Sequence, residues 1–249
     1  MKIVLFTMDE EYFTPLLLGH VLERHHQKIV TAYICPKTDF RYLRQNYRNI
    51  LNFTPRTFAE GLDYLRLQRR LRTFDKDSPS NLFSRFGIRT RPIRRFDKET
   101  LTQLRSHAAD MFVFCPLRLV AGPRTLSTPR LGTFNVHLGK LPEHKGGLSS
   151  FWVLQRGDPL AGATMHRAVP EIDAGEIVNE VRFPVQTSSL LELMETTFKL
   201  ASPMVADGIQ MVEDGKWKPL DVTGRTSEYL LYPSRTEFKK FFKRGCSLS

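Results

Sequence analysis

Apolar residues recur along this chain in short blocks that alternate between two periodicities. Blocks rich in β-branched and aromatic residues, such as 2–7 (KIVLFT) and 28–34 (KIVTAYI), have the length of buried strands. Between them, residues 12–23 carry leucine and valine at the spacing of a helix with one apolar face. A strand, a helix and a second strand within the first 35 residues predict the βαβ unit of a parallel sheet.

The same alternation continues through most of the chain. Further strands are predicted at 88–93, 111–115, 131–138, 163–168 and 175–183, and further helices at 98–107, 149–155 and 188–213. The unbroken apolar run MFVFC at 111–115 is typical of a central strand that is buried on both faces. We therefore predict an α/β fold, a Rossmann-like and mostly parallel sheet with flanking helices, in one domain over 1–215. A basic helical insertion at 39–87 and a small C-terminal extension over 216–249 complete the predicted organisation.

The composition is that of an ordinary globular protein, with 41% of the 249 residues hydrophobic and 25% charged. No segment approaches the run of about 18–20 apolar residues that a membrane-spanning helix needs. The N-terminal apolar stretch reaches an acidic residue at Asp9, which is too early for a signal peptide. The three cysteines form no C-x-x-C pair, which disfavours a disulfide framework and a structural zinc site. We expect a cytoplasmic protein without a metal.

The net charge of +11 is concentrated in one block of the chain. Between Arg41 and Arg95 there are fourteen basic and four acidic residues, so the remainder is about neutral. Such a block suits a phosphorylated substrate, a nucleic acid or an anionic membrane surface, and it equally suits a solvated insertion that maintains solubility. Its segment 56–74 predicts a basic helix whose apolar face, with Leu62 and Leu65, packs on the core or lies on a membrane. Both interpretations stay open at this point.

The densest set of chemically capable residues lies between 135 and 173. Asn135 and His137 stand two apart in a predicted strand, which points both side chains to the same side of it. A loop with Pro142 and Gly146 follows, and Asp173 sits in a Glu-Ile-Asp-Ala-Gly turn. The turn after the first strand reads TMDEE rather than G-x-G-x-x-G, which disfavours a dinucleotide site.

These segments resemble a known family. The stretch 134–152 (FNVHLGKLPEHKGGLSSFW), together with 162–166 (GATMH) and 172–177 (IDAGEI), is similar to the folate-dependent formyltransferases. That family includes methionyl-tRNA, glycinamide ribonucleotide and amino-sugar N-formyltransferases. The specific part of the resemblance covers 110–180. It implies a Rossmann-like sheet that binds N10-formyltetrahydrofolate as co-substrate, with 1–215 as the catalytic domain.

The resemblance also implies a role for individual residues. The implied catalytic residues are Asn135, His137 and Asp173. The implied folate-binding residues are Leu117, Arg118, Leu119, Val169, Pro170 and Glu171, and we expect Lys140, Pro142 and His166 on the acceptor side. An amine that attacks a formyl carbonyl develops negative charge on oxygen, which the amide of Asn135 and a protonated His137 would stabilise. The Asp173 carboxylate would favour that charged histidine and take up the proton that the amine loses.

The loop departs from the family pattern, because Gly139 and Lys140 replace a serine and a leucine. For the acceptor we expect an amino sugar, nucleotide-linked, or another small and anionic amine. The basis is exclusion, since the 34 residues from 216 onward are too few for the extra domain of tRNA-specific members. A methionyl-tRNA-type formyltransferase, a formyltetrahydrofolate hydrolase and a basic nucleic-acid- or membrane-binding module on a non-catalytic scaffold remain alternatives. The sequence leaves the oligomeric state open.

Overall fold

A single seven-stranded sheet organises the computed structural model, which describes residues 1–36, 58–73 and 77–249. Its strands are β1 (Ile3–Met8), β2 (Ile29–Cys35), β3 (Thr90–Pro92), β4 (Met111–Cys115), β5 (Gly132–His137), β7 (Leu160–Arg167) and β8 (Ile177–Pro184). Two short strands, β6 (Lys145–Gly146) and β9 (Tyr229–Leu230), pair with each other outside it. The predicted α/β fold is confirmed.

The strand order β3-β2-β1-β4-β5-β7-β8 decides where a ligand site can form. The first five strands in this order run parallel to one another. At the edge formed by the last two strands, β7 runs antiparallel to both of its neighbours, β5 and β8. From β1 the chain builds outward to one side through β2 and β3, and then to the other side through β4 and β5. The connections that leave β1 and β4 therefore separate, and they open a crevice at the carboxyl ends of these two strands.

Eight helices, counted over the described ranges, cover the sheet. They are α1 (Thr14–His25), α2 (Phe58–Thr73), α3 (Pro79–Arg85), α4 (Lys98–Ser106), α5 (Pro123–Leu126), α6 (Ser149–Arg156), α7 (Leu190–Glu213) and α8 (Arg235–Lys243). Several of these helices begin with an N-cap side chain that binds the first turn. Asp97 accepts a hydrogen bond from Thr100 N at 2.9 Å, and Ser189 accepts one from Glu192 N at 3.2 Å.

The apolar alternation of the strands builds a core on each face of the sheet. Ile3 and Leu5 pack with the buried leucines of α1 and with α7 on one face. Val4 and Phe6 point to the other face, where Phe6 contacts Phe112 and Phe114 edge-on at centroid distances of 5.3 and 5.0 Å. Successive residues of β1 are therefore all buried, as the continuous apolar run requires.

Helix α2 turns a different face inward from the one that its leucines predict. Leu65 is 63% exposed, whereas Asp63 is buried and accepts hydrogen bonds from Leu248 N (2.7 Å) and Ser249 Oγ (3.1 Å). Leu67, one turn further on, packs against the cluster around Phe151. The carboxylate of Asp63 binds the C-terminal backbone, a partner that helical periodicity alone does not reveal. The rest of the basic insertion, residues 39–57 and 74–76, lies outside the described residues.

The segment 216–249 contacts both the sheet domain and the loop that follows β5. Strand β9 pairs with β6, and α8 packs Phe238 and Phe241 against Phe151 at 4.7 and 4.9 Å between ring centroids. A domain boundary at 215 stays a prediction. Within the three described ranges, no helix combines the length and the apolar character that crossing a bilayer requires.

Candidate active site

A cavity of about 660 Å3 opens at the carboxyl ends of β1, β4 and β5. It brings together all three residues with implied catalytic roles, Asn135, His137 and Asp173. All six residues with implied folate-binding roles also line it, in the segments 117–119 and 169–171. Residues separated by more than fifty positions thus share one concave surface, at the place where the strand order reverses.

Asn135 lies on β5 directly opposite His166 on β7. The Asn135 Nδ2 group donates a hydrogen bond to His166 Nε2 at 3.1 Å. The other ring nitrogen of His166, Nδ1, donates to the carbonyl of Arg167 at 3.0 Å. His166 lines the cavity, as expected of a residue on the acceptor side. The second amide hydrogen of Asn135 takes no part in the bond to His166.

His137 is held in one tautomer by its backbone contact. Its Nε2 lies 2.6 Å from the carbonyl oxygen of His144, and because a carbonyl only accepts, Nε2 carries the hydrogen. The Nδ1 atom faces Asp173 Oδ2 at 3.5 Å. Burial lowers the pKa of His137 and outweighs the Asp173 carboxylate and the His144 carbonyl, which raise it. The lowered pKa favours the neutral imidazole near pH 7, so a charged His137 during the reaction stays a prediction.

Asp173 sits in a strained turn that presents its carboxylate to both histidines. Its backbone φ is 53°, a left-handed conformation that non-glycine residues rarely adopt. The Oδ2 atom accepts a hydrogen bond from Gly146 N at 2.9 Å, and Oδ1 lies 3.6 Å from His166 Nε2. Burial by itself would raise the pKa of Asp173, but its contacts, among them the hydrogen bond from Gly146 N, hold it below its usual value. Asp173 is therefore ionised at neutral pH.

The arrangement leaves two hydrogen-bond acceptors facing each other, His137 Nδ1 and Asp173 Oδ2, 3.5 Å apart. A donor placed beside them, such as the N–H groups of an amine, satisfies both. The pair can then take up a proton from that donor, because burial lowers the pKa of His137 and the pKa of Asp173 lies below its usual value, both of which favour the unprotonated forms. The chemistry available here is proton removal from a bound amine or water next to an amide donor, Asn135.

The loop after β5 directs Lys140 away from the cavity, contrary to its expected acceptor role. Lys140 is buried, and its Nζ lies 3.9 Å from Asp158 Oδ2. The backbone of this loop is held against β7, because Thr164 Oγ1 donates a hydrogen bond to Gly139 O at 2.8 Å. Pro142, which follows a cis peptide bond, does not line the cavity either.

Several functional contacts could not be predicted from residue types. The His144 carbonyl and the Gly146 N–H act through the backbone, so no side-chain pattern marks them. The side chain of His144 is anchored by Asp158, with 2.8 Å between Nε2 and Oδ2. Tyr229 and Tyr232 reach the cavity from β9 and the residues after it, far along the chain. In the part of the chain that the structure describes, no three histidine, cysteine or acidic side chains are placed to hold a metal ion.

The two predicted folate-binding segments both line the cavity. Leu117 and Leu119 pack on the core cluster of one sheet face and also line the cavity, so core packing and ligand contact coexist. Arg118 lies at the rim, where its Nε contacts Met8 Sδ at 3.0 Å. Glu171 projects into solvent with its side chain 78% exposed. Arg118 and Glu171 thus lie at the opening, whereas the carboxylate of Asp173 lines the cavity with its side chain 8% exposed.

Cys115, at the end of β4, is expected to be chemically inert in the folded protein. Its side chain is fully buried, and burial raises the pKa of its thiol to about 12. Native protein treated with iodoacetamide at pH 8 should show no carbamidomethylation at Cys115 by peptide mass spectrometry, whereas urea-unfolded protein should be fully modified. Labelling of the native thiol at the rate of the unfolded chain would contradict this.

Protein stability is expected to fall as the pH drops below about 6.5, the ordinary pKa of histidine. Burial lowers the pKa of His25, His107, His137 and His144 in the folded state. As the pH falls through 6.5, the unfolded chain binds protons at these sites before the folded chain does, so the free energy of unfolding decreases. Urea titrations between pH 8 and 5 measure this slope.

A matched pair of variants on α1 checks the cause of that slope. His25→Gln should flatten the pH dependence, because buried His25 no longer titrates, whereas His20→Gln should leave it unchanged, because His20 is exposed on the same helix. An identical slope in both variants and the wild type would show that His25 does not contribute to it.

Comparison with known proteins is consistent with this fold and this arrangement of residues. The sequence model of the family described as formyl transferase matches residues 63–205, more than half of the chain. Methionyl-tRNA formyltransferase of Bacteroides fragilis is 28% identical over 159 residues, which cover 63% of this chain and 47% of that protein. The chain thus spans about half the length of that relative.

Two solved structures share the fold at low sequence identity. The N-formyltransferase of Helicobacter canadensis, described in complex with folinic acid and dTDP-3-aminofucose, superposes with a TM-score of 0.59 at 15% identity, covering 92% of this chain and 71% of that one. Phosphoribosylglycinamide formyltransferase of Anaplasma phagocytophilum superposes with a TM-score of 0.60 at 18% identity, covering 92% and 98%. With the family match across the site, these findings establish that the chain belongs to the formyl transferase family.

Proposed function

We propose that this protein transfers a formyl group from N10-formyltetrahydrofolate to the primary amine of a small molecule, an amino sugar that is nucleotide-linked. The observation that carries the proposal is the pair of facing acceptors, His137 Nδ1 and Asp173 Oδ2, beside the amide of Asn135 in one cavity. A pair of this kind suits deprotonation of an attacking amine next to a donor for the carbonyl oxygen. Family membership supports the formyl group as the unit transferred.

The residues present fit a folate. A cavity of about 660 Å3 is of the size that typically encloses a small ligand. Leu117, Leu119 and Val169 supply apolar walls for a fused ring, with Arg118 and Glu171 at the rim and Asn135, His137 and Asp173 at the polar end. These residues would hold the co-substrate, which when bound supplies an activated formyl group. The Helicobacter structure described with folinic acid supports the same assignment.

Each of the three side chains has a separate role in the proposed transfer. The attacking amine donates its N–H groups to His137 Nδ1 and Asp173 Oδ2 and loses a proton to this pair. The protonated imidazole then lies between two acceptors, the His144 carbonyl and the Asp173 carboxylate, which stabilise its charge. The free amide hydrogen of Asn135 is available for the negative charge that develops on the carbonyl oxygen. As the bond from the amine nitrogen to the formyl carbon forms, the bond from that carbon to N10 breaks, and the proton held by the His137–Asp173 pair passes to N10 of the departing tetrahydrofolate. No protein nucleophile is needed, and Cys115 takes no part.

An amino sugar is the acceptor that we favour, since the Helicobacter neighbour is described with dTDP-3-aminofucose. The three cysteines are unpaired, which supports a reducing, cytoplasmic setting for the reaction. Transfer to methionyl-tRNA is the second candidate. It is favoured by the name of the Bacteroides relative and by Arg66, Arg69 and Arg72, exposed on α2 in the described part of the basic block.

One assay separates these candidates. Purified protein is incubated with N10-formyltetrahydrofolate and, in turn, a dTDP-linked amino sugar, glycinamide ribonucleotide, methionyl-tRNA or buffer, while tetrahydrofolate release and product mass are followed. We expect formylation of the nucleotide-linked amino sugar with little release in buffer. Formylation of methionyl-tRNA alone would favour the second candidate, and equal release in buffer would favour the hydrolase. No binding of the folate at all would overturn the proposal.

A charge-reversed variant tests the role of α2. Arg66→Glu/Arg69→Glu should leave kcat for the amino sugar unchanged within about twofold, because both side chains are exposed and lie outside the cavity. If a polyanion is the natural partner, the same variant should lose most of its affinity for tRNA or for anionic vesicles. The variant therefore distinguishes an enzyme with a solvated insertion from a binding module.

A further inference from the structure

The C-terminal segment also contributes to the lining of the cavity. Tyr229 and Tyr232 line the same cavity as His137 and Asp173. Their side chains are accessible, with Tyr229 53% and Tyr232 37% exposed. Two aromatic rings at the opening of a polar cavity present flat apolar faces to whatever enters it.

The backbone that carries these tyrosines is joined directly to the candidate catalytic loop. In the β6–β9 pair, Lys145 lies opposite Tyr229 and Gly146 opposite Leu230. Gly146 is also the residue whose N–H binds the Asp173 carboxylate. The Tyr229 ring is therefore carried by the strand next to Gly146, whose N–H positions the proposed base, Asp173.

The same segment is anchored from both sides. The Glu228 carboxylate binds Arg156 through two hydrogen bonds of 2.6 and 2.7 Å. Trp152 Nε1 donates to Leu231 O at 3.1 Å, and Gly147 N donates to Leu230 O at 3.1 Å. The Tyr232 ring lies over Gly147, with 3.6 Å between its Cδ2 and the position that a Cβ would take there. The two rings are thus preorganised, so a ligand that binds them loses little free energy in ordering the protein.

We propose that Tyr229 and Tyr232 form the acceptor subsite and hold a ring of the amine substrate, its nucleobase or the apolar face of its sugar, while the amine reaches His137 and Asp173. This inference rests on the proposed function and adds the location and chemistry of acceptor recognition. Stacking on aromatic side chains tolerates different rings and contributes affinity without charge. It also assigns a function to the C-terminal segment, which closes the acceptor side of the cavity.

Steady-state kinetics of Tyr229→Ala, Tyr232→Ala and the double variant test this with a dTDP-linked amino sugar. We expect the KM for the amino sugar to rise about tenfold in each single variant and more in the double variant, with kcat and the KM for N10-formyltetrahydrofolate changed less than about twofold. Leu231→Ala is the matched control, since Leu231 lies between the two tyrosines, is 70% exposed and does not line the cavity. Its kinetic constants should equal those of the wild type.

A second arm identifies the ring that is held. If the tyrosines stack on the nucleobase, the variants lose affinity for the nucleotide-linked sugar only, and if they pack on the sugar, they lose it for the free amino sugar as well. An unchanged KM in the double variant, or a loss confined to the folate, would overturn the inference.

Calorimetric binding of the nucleotide-linked sugar in the presence of tetrahydrofolate measures the subsite without turnover. Binding by the wild type that the double variant loses supports the subsite even if no formyl transfer is seen, in which case the proposed function fails alone. Absence of binding by the wild type would overturn the subsite. Matched unfolding curves confirm that the variants are folded.

Discussion

Replacing Asp173 by asparagine is expected to lower kcat/KM for formyl transfer about a thousandfold, within the range that removal of a general base produces. The variant keeps its fold, because asparagine tolerates the left-handed backbone at this position and its amide oxygen can still accept the Gly146 N–H. What it loses is the negative charge beside His137 Nδ1, at 3.5 Å. Single-turnover rates with saturating co-substrate measure the loss.

A neighbouring carboxylate supplies the control for this experiment. Glu176→Gln removes a charge three residues away on an exposed side chain that does not line the cavity, and its kcat/KM should stay within about threefold of the wild type. Near-normal turnover in Asp173→Asn would refute its role as a base. A loss in Glu176→Gln as large as that in Asp173→Asn would mean that the net charge near this turn is what matters.

His137→Ala is expected to match Asp173→Asn in the size of its effect, because both remove one member of a pair that shares a proton. The double variant should then be little worse than either single variant, as residues that act as a unit are not additive. Losses that multiply in the double variant would show that the two groups act independently. Unchanged unfolding midpoints show that the folds are intact.

Gly139→Ala is expected to reduce kcat/KM about a hundredfold and to destabilise the fold by about 1–3 kcal/mol. A Cβ at this position would lie 2.3 Å from Ser149 Oγ and 2.7 Å from His137 Nε2. The alanine therefore displaces the imidazole from the His144 carbonyl, the contact that sets its tautomer. Kinetics together with urea unfolding measure both effects.

Two further variants isolate the cause. Gly122→Ala, at a position where a Cβ has nothing within 4 Å, should leave activity and stability unchanged. Gly139→Ala/Ser149→Gly removes the hydroxyl that occupies the space and should restore part of the lost activity. If Ser149→Gly gives no recovery, steric conflict with Ser149 is not the reason for the loss. The glycine at 139, a departure from the family pattern, is thus coupled to the serine at 149.

Local patterns in the sequence predicted much of the fold, since the length and periodicity of an apolar block are local quantities. The predicted strand at 111–115 and the predicted helix starting at 98 match β4 and α4. Period-two alternation likewise predicts that Asn135 and His137 share one side of β5, and both line the cavity. The catalytic roles of these residues stay predictions until the variants are measured.

The local sequence patterns did not predict the long-range contacts. The tautomer of His137 depends on a backbone carbonyl seven residues away, and the Asp173 carboxylate depends on the Gly146 N–H. Backbone groups are the same in every residue, so no pattern of residue types marks them. The direction of Lys140 and the buried side of α2 depend on Thr164 and on the C-terminal backbone, which folding alone brings near.

The sequence by itself thus determined the α/β class, the order of the elements and the family to which the chain belongs, because each depends on residues near one another in the chain. The tertiary structure alone decided that the pKa of His137 is lowered, through burial that outweighs the nearby carboxylate. It also decided the position of Tyr229 at the mouth of the cavity, through a two-residue strand too short to predict. Burial and strand pairing join distant parts of the chain, and only folding brings those parts together.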